Sequence, residues 1–599
     1  MNMFGKKFLV CVLILLTAIA PYFLRRTNAQ DQEMVFVMAY PSDIGEMNPL
    51  FPRSERTNWF LIQIYDELIA YDEQLKPIPW LAESWEVDPN GKWVVFHIRK
   101  NAKWHDGQPL TSEDVKFTFE YWKNAPEDAS GWTILQNIES VELVDDYTVR
   151  INLKEPDGFA LEHYGGYYIL PKHIWEGYAA DDARWDDPND KQAHIGSGPF
   201  YYVERVPDEY IVMKKFEDWW GKDVYQLPNV DVLRIEVIRG QAARILAMRE
   251  GKAATERYEL WGTDVNTVIE APETDVITGV ASQWDYVLGF NLTIPGLDDV
   301  RVRRAIAYAI DRDEIIKIAR LGWGTPTWSV IPEAFYPLYY SEKGRFPEHD
   351  VDKANQILDE AGYLDVDGDG IREFPGDPNK ELKFDMMVLS WDDISVDAGA
   401  AIAQELKKIG IEIEVAITDD AVMYPALYAL PRNYRMYEMS HGFGPVPDHV
   451  WYRMHSANDI DWGDNCYGLH SEEMDRALDE FMRATSLEDR KRAAEKVQIL
   501  ATELIPYIPL FLSDDTHAIR KEWVNYTMLP GGPFTSYNRL TMLYIYNAEM
   551  MPAVTETPSP TPAATPAPAP GVNWTLVGGL AVVALIVGIG IGFVLTKKR

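Results

Sequence analysis

The chain has 599 residues, 47% of them hydrophobic and 12% aromatic, with a formal net charge of −36 at neutral pH. That length asks for several domains rather than one core, and the apolar share excludes a disordered chain. The acidic residues are spread along the sequence, which excludes nucleic acid and anionic lipid surfaces as partners because both require basic protein surface.

In chain order, Lys6-Lys7 precede an apolar core from Phe8 to Ala20, and Thr27-Asn28-Ala29 supplies a small-residue cleavage site. Residues 1–29 therefore read as an export signal, with Arg25-Arg26 leaving an uncleaved anchor as the alternative. Cys11 follows Phe8-Leu9-Val10, without the small residues a lipid-modified cysteine needs, and Cys466 is the only other cysteine. A disulfide framework is excluded.

A strand is expected over 34–38 and a helix over 58–71, where Phe60, Leu61, Ile64, Tyr65 and Leu68 recur at helical spacing. Trp85 to Arg99 reads as a hairpin turning at Asp88-Pro89-Asn90-Gly91. Thr111 to Asp114 resembles a capping box before a helix with Val115, Phe119 and Trp122 on one face, and 141–153 reads as two strands. Gly196-Ser197-Gly198-Pro199 introduces strands at 200–203 and 210–214, then a strand at 230–237 and a helix at 241–249. A buried strand at 287–291 leads to Asp298-Asp299, an N-cap signal for the amphipathic helix carrying Val302, Ala305, Ile306, Ala309 and Ile310. Helices at 352–361, closed by Gly362, and at 398–409, closed by Gly410, follow. The alternation at 411–415 marks a half-exposed strand, and two long helices, 472–484 and 487–504, stop before Pro506.

The C-terminal end has a different composition. A Pro/Thr/Ala-rich stalk is expected over 552–573, then a transmembrane helix over 574–596, followed by Lys597-Lys598-Arg599. About 20 apolar residues span a hydrocarbon core, and the basic end favours the cytoplasm. The body of the chain would then stand outside the cell.

No phosphate-binding loop, zinc helix or nucleophile elbow occurs, and nothing in the residues argues for an enzyme. Asp365, Asp367 and Asp369 with Gly370 have the opening spacing of a calcium loop, but the twelfth position is Gly376 where a bidentate Glu belongs. A plain Asp/Gly turn and a structural calcium site both remain open, and no other cofactor is expected. His441, His449, His455 and His470 match no metal spacing and read as hydrogen-bonding side chains. Twenty tryptophans, among them Trp59, Trp261, Trp284, Trp391 and Trp451 in expected loops, suit a cleft where rings stack on sugars or clamp peptide side chains. Asn291, Asn525 and Asn573 stand in glycosylation sequons, and Gly588 and Gly592 could pack two membrane helices.

Tyr65 to Tyr71, Leu81 to Glu86, Trp104 to Thr111 and Asp114 to Phe119 together resemble the extracellular solute-binding proteins of family 5, the peptide, nickel and oligosaccharide receptors of ABC importers. Gly196 to Phe200, Val300 to Ala305, Ala361 to Tyr363 and Leu406 to Ile411 agree with it, so the likeness runs from about 34 to 546. It implies a large α/β, two-lobed type II periplasmic-binding-protein fold over 30–549. Lobe one would comprise about 30–65, 195–285 and 516–549, an inserted domain about 66–194, and lobe two about 286–515. Solute would bind between the lobes, which close by hinge motion and present the complex to permease subunits.

In the peptide binders an aspartate in a lobe-two loop grips the peptide's amino terminus. The matching loop is similar to His441 to Asp448, where Pro445 takes the aspartate's place and Asp448 comes slightly later. Tyr40, Trp261, Trp284, Trp391, His441, Phe443 and Asp448 are the expected ligand-binding residues. Oligopeptide, oligosaccharide and metal chelate remain open as ligands. A surface hydrolase of peptides or glycans, or a sensory ectodomain, are the alternatives from other classes.

Overall fold

The structure, a computed structural model of the chain, describes residues 33–551 apart from positions 53, 128, 257–263, 278–280, 515 and 536. The expected signal segment (1–29), stalk (552–573), membrane helix (574–596), Trp261 and the Asn573 sequon lie outside the described residues. Among the described residues no helix is long and apolar enough to cross a membrane.

Three sheets organise the fold. Seven strands form the first, in the order Thr274–Ile277, His517–Arg520, Thr255–Glu256, Val35–Tyr40, Val232–Val237, Tyr210–Lys215 and Phe200–Val206. Val35–Tyr40 runs parallel to Val232–Val237, and its inward residues Phe36, Met38 and Tyr40 are fully buried. Six strands form the second: Gly324–Pro326, Tyr507–Asp514, Ala281–Phe290, Met436–Gly442, Lys383–Leu389 and Glu412–Thr418. The third is an antiparallel four-stranded sheet, Ala82–Val87, Trp93–Ile98, Thr148–Leu153 and Ile138–Asp145, covered by the helix Ser112–Lys123. The chain passes between the first two sheets twice, once between Ile277 and Ala281 and once between Asp514 and His517.

Local chemistry accounts for most element ends. Asp299 accepts from the Arg301 backbone N–H at the start of Val300–Ala309, and Gly362 closes Val351–Ala361 at φ 87°. Asp114 accepts from the Thr111 backbone N–H at 2.9 Å, as the capping-box spacing predicts. The strand expected at 287–291 is longer, spanning Ala281–Phe290, because both of its edges are paired and two-sided burial erases alternation.

One helix differs from expectation. The element read over 58–71 is the helix Glu55–Ile64, with Trp59 buried in it, and Ile69–Tyr71 is a strand paired to Pro77–Pro79. Tertiary contacts overrule the helical spacing at 65–68. Asp66 is fully buried, and its carboxylate accepts from the indole N–H groups of Trp80 and Trp220, each at 2.8 Å. Arg539, from the C-terminal end of the body, reaches in to donate to the Ile62 and Tyr65 carbonyls at 2.8 and 2.9 Å and to Glu67 at 3.1 Å. Gly198 donates its N–H to the Ile64 carbonyl at 2.8 Å, and a Cβ on Gly196 would lie 2.0 Å from that carbonyl oxygen. The Gly-Ser-Gly turn is therefore a close-approach device at the end of the helix.

Removing the guanidinium would leave Glu67 and two carbonyls without it in a closed interior. Arg539→Met is expected to cost about 3 kcal/mol of stability, measured by chemical denaturation, whereas a loss below about 1 kcal/mol would show that the joint does not depend on it.

Candidate ligand-binding cleft

A cavity of about 410 Å³ opens where the three sheet bodies meet. Its walls come from the first helix and the loop before it (Pro49, Pro52, Glu55, Asn58), from the four-stranded module, and from Gln283 and the loop Phe443 to Asp448 beside the six-stranded sheet. Tyr537 closes it from the C-terminal segment.

The module's contribution is aromatic and acidic. The helix Ser112–Lys123 presents Trp122, whose indole donates to the Ser130 carbonyl at 2.8 Å. Tyr167 donates to the Gly131 carbonyl at 2.7 Å, so the two rings lie 5.1 Å apart and edge-on on a fixed wall. Tyr71 lies alongside, and its hydroxyl is pushed well above the usual range by burial and by the carboxylates of Glu162, Glu67 and Asp448. Glu67 and Glu162 are raised by burial, with Arg539 and Arg490 respectively opposing the shift.

The opposite wall is a braced loop. Phe443 donates its N–H to Gln283 at 2.9 Å and packs edge-on against Tyr336 and tilted against Phe335. The Tyr336 hydroxyl lies 2.7 Å from the Gly444 carbonyl and 3.2 Å from that of Val446, and Arg453 donates to the Gly442 carbonyl at 3.0 Å. Gly444, Pro445 and Val446 all face the cavity, so the proline that stands where an aspartate was expected is part of the lining.

Across the cleft, an imidazole lies between carboxylates of the two walls. His163, on the short helix Ala160–Gly165, sits 2.8 Å from Asp157 through Nδ1 and 3.4 Å from Asp448 through Nε2. Burial opposes its charge, but the carboxylates of Asp157 and Asp448 outweigh burial and hold the imidazolium well above the ordinary histidine range. Asp157 belongs to the four-stranded module and Asp448 to the other side. Nearby, Gly158 donates to the Met482 carbonyl at 2.7 Å, Thr485 donates to the Pro89 carbonyl at 2.7 Å, and Phe159 packs against Phe481 and Tyr339.

Of the residues expected at the site, Phe443 and Asp448 line this cavity. Tyr40 is fully buried in the first sheet against Trp59. His441 is half-buried, packs on Tyr437, and is kept neutral by burial together with Arg453 and His449. Trp284 and Trp391 are 38% and 54% exposed and are not among the lining residues. Among the described tryptophans only Trp122 lines the cavity, because the others fill cores such as the Trp80, Trp219 and Trp220 cluster or lie on the surface. None of the expected residues lies in the module's part of the wall. The signal was present in Glu162-His163-Tyr164-Gly165-Gly166-Tyr167-Tyr168, a dense acid, imidazole and phenol run with paired glycines.

The remaining histidines of the sequence reading are hydrogen-bonding groups. His449 pairs with the Val330 carbonyl at 2.9 Å, His470 with Asp459 at 2.6 Å, and His455 lies beside Asp475 and Asp479. The Asn291 side chain is buried, donating to the Tyr434 carbonyl at 3.0 Å, which leaves that sequon no room for a sugar.

Residues 76–462 match the model of the bacterial extracellular solute-binding proteins, family 5. The chain belongs to that family. It is similar to the oligopeptide-binding protein AppA of Bacillus subtilis, 27% identical over 497 residues that cover 81% of this chain and 88% of AppA. The solved structure of AppA in complex with a nonapeptide aligns with a TM-score of 0.68 at 25% identity, covering 85% of this chain and 99% of AppA's. A periplasmic oligopeptide-binding protein of an ABC transporter from Thermotoga maritima shares the fold, with a TM-score of 0.74 at 24% identity over 86% of this chain and 99% of the other. The family member's α/β architecture is thus that of the periplasmic binding proteins.

The His163 bridge makes a pH prediction. A histidine whose folded pKa is raised stabilises fully below its unfolded value, about 6.5, and that contribution is lost as pH rises through the folded value. The stability difference between wild type and His163→Gln is expected to be largest below about pH 6.5 and to shrink on alkalinisation, read from thermal midpoints. A difference that does not vary with pH would mean that the imidazolium carries no such role.

Proposed function

We propose that this chain is the solute-capturing receptor of an ABC importer and that its solute is a short oligopeptide held through its free amine. Four carboxylates, from Glu55, Glu67, Glu162 and Asp448, line one cavity with a single imidazole, and this is the observation that carries the reading. A cation bound there compensates charge that burial otherwise disfavours, as the raised carboxyl groups of Glu67 and Glu162 indicate. An oligosaccharide would place neutral hydroxyls against them and would find one tryptophan, Trp122, to stack on. Trp122, Tyr167, Tyr168 and Phe443 supply apolar faces for peptide side chains. The likeness to AppA, whose structure holds a nonapeptide, supports the same ligand class.

In this reading the seven-stranded and six-stranded bodies are the two lobes, the four-stranded module is an insertion in the first, and the two chain crossings are the hinge. The bridge from His163 to Asp448 then reports the closed state, and the ligand's amine joins Asp448 from the cavity side. The receptor is held outside the cell by the apolar segment 574–596 and hands its solute to permease subunits, reaching them on the stalk 552–573. Nineteen residues from Pro552 to Pro570 extend at most about 60 Å, which raises the receptor's effective concentration at a permease in the same membrane.

Calorimetric titration with tri- and tetrapeptides, free and N-acetylated, tests the ligand class. The free peptides are expected to bind, acetylation is expected to weaken binding at least tenfold, about 1.4 kcal/mol, and Asp448→Asn is expected to erase that difference. Equal affinity for both forms, or binding only of oligosaccharides, overturns the peptide reading. Deleting most of the stalk is expected to reduce uptake by cells while leaving the affinity of the purified protein unchanged; undiminished uptake would remove the tether from the account.

A further inference from the structure

From the loop between the helix Val351–Ala361 and the hairpin that follows it, we infer that Asp365, Asp367, Asp369 and Glu373 form a calcium-binding site remote from the ligand cavity. One carboxylate oxygen of each of these four residues lies within 4.8 Å of the others. Three belong to the Asp-x-Asp-x-Asp-Gly run, and the fourth, at the ninth place of the loop, supplies the acid that the twelfth place (Gly376) lacks. None of the four lines the cavity at the cleft.

Three of the carboxylates are exposed, and exposed acids cluster in many proteins without an ion. Glu373 is what distinguishes this loop. Its residue is only 2% exposed, its Oε2 accepts from the Val366 backbone N–H at 2.8 Å, and its Oε1 is buried with no hydrogen-bond partner. An unpartnered buried carboxylate oxygen is costly unless a cation meets it, and here it belongs to a carboxylate grouped with three others. The neighbouring cation of the chain does not serve. Arg372 directs its guanidinium to Asp359, Asn355 and the carbonyls of Tyr363 and Ile409.

The backbone holds the acids in place. A bridge between Leu364 and Glu373 closes the loop, and Gly368 and Gly370 take φ of 84° and 93°. Their N–H groups donate to the two oxygens of Asp365 at 2.7 and 3.0 Å. An all-oxygen set of four carboxylates suits Ca²⁺, which takes six to eight oxygens at variable geometry, better than Mg²⁺, which demands a strict octahedron. Exposure of three of the ligands fits the modest affinities of extracellular calcium modules, of order 10⁻⁴–10⁻³ M.

The test is equilibrium dialysis of the purified full chain, stripped with chelator, against Ca²⁺ and Mg²⁺, alongside its thermal midpoint. One Ca²⁺ per chain, a raised midpoint and at least tenfold preference over Mg²⁺ are expected. Glu373→Gln and Asp369→Asn should each weaken calcium binding at least tenfold without changing peptide affinity; Asp369 is exposed, so its variant keeps the fold. No calcium uptake, uptake unaltered in both variants, or equal affinity for the two metals would overturn the site.

Discussion

The buried joint at Tyr65 to Leu68 is the constraint on which the rest of the molecule depends. The first helix stops there because Asp66 turns inward to two indoles and Arg539 occupies the carbonyls that a continuing helix would use. Four parts of the chain thereby meet at one point: the first helix, the four-stranded module, the Gly196 to Pro199 turn and the C-terminal segment. A buried charge that is paired and hydrogen-bonded is costly to break, so the joint fixes the direction in which the module leaves the first sheet. That direction decides where Glu67, Tyr71 and Tyr168 face.

The cleft follows from it. The module is the middle piece of a three-part wall, and its loops at 88–91 and 157–159 meet the six-stranded body through the Thr485 hydroxyl and the Met482 carbonyl. Phe159 adds side-chain packing to these contacts, against Phe481 and Tyr339. A charged contact across it, from His163 to Asp448, stands beside the cavity.

Much of the fold was legible because it rests on local chemistry. The cap at Asp299, the Gly362 terminus, the turn at 88–91 and the alternation at 411–415 each express a short-range rule that burial reinforces. The helix read through to residue 71 was mistaken because the residues that end it, Trp80, Trp220 and Arg539, lie up to hundreds of positions away. The site was less legible for a related reason. Exposed aromatics such as Trp284 and Trp391 attract attention by type, whereas the cavity takes Trp122 from a helix and Tyr167 from a loop, both selected by how the module is mounted.

The sequence by itself determined the class of protein: an acidic, disulfide-free, mixed α/β body with the motif order of a solute-binding family. It also placed three aspartates at metal-ligand spacing. Only the tertiary structure decided which carboxylates share a space. It set Asp448 against His163 from a separate body, gathered Glu55, Glu67 and Glu162 around one cavity, and brought the buried Glu373 to the Asp365 loop in the ninth place. Spacing along a chain encodes neighbours within an element, where geometry repeats. Contacts between bodies depend on how packed surfaces and buried charges orient whole elements, which no local pattern records.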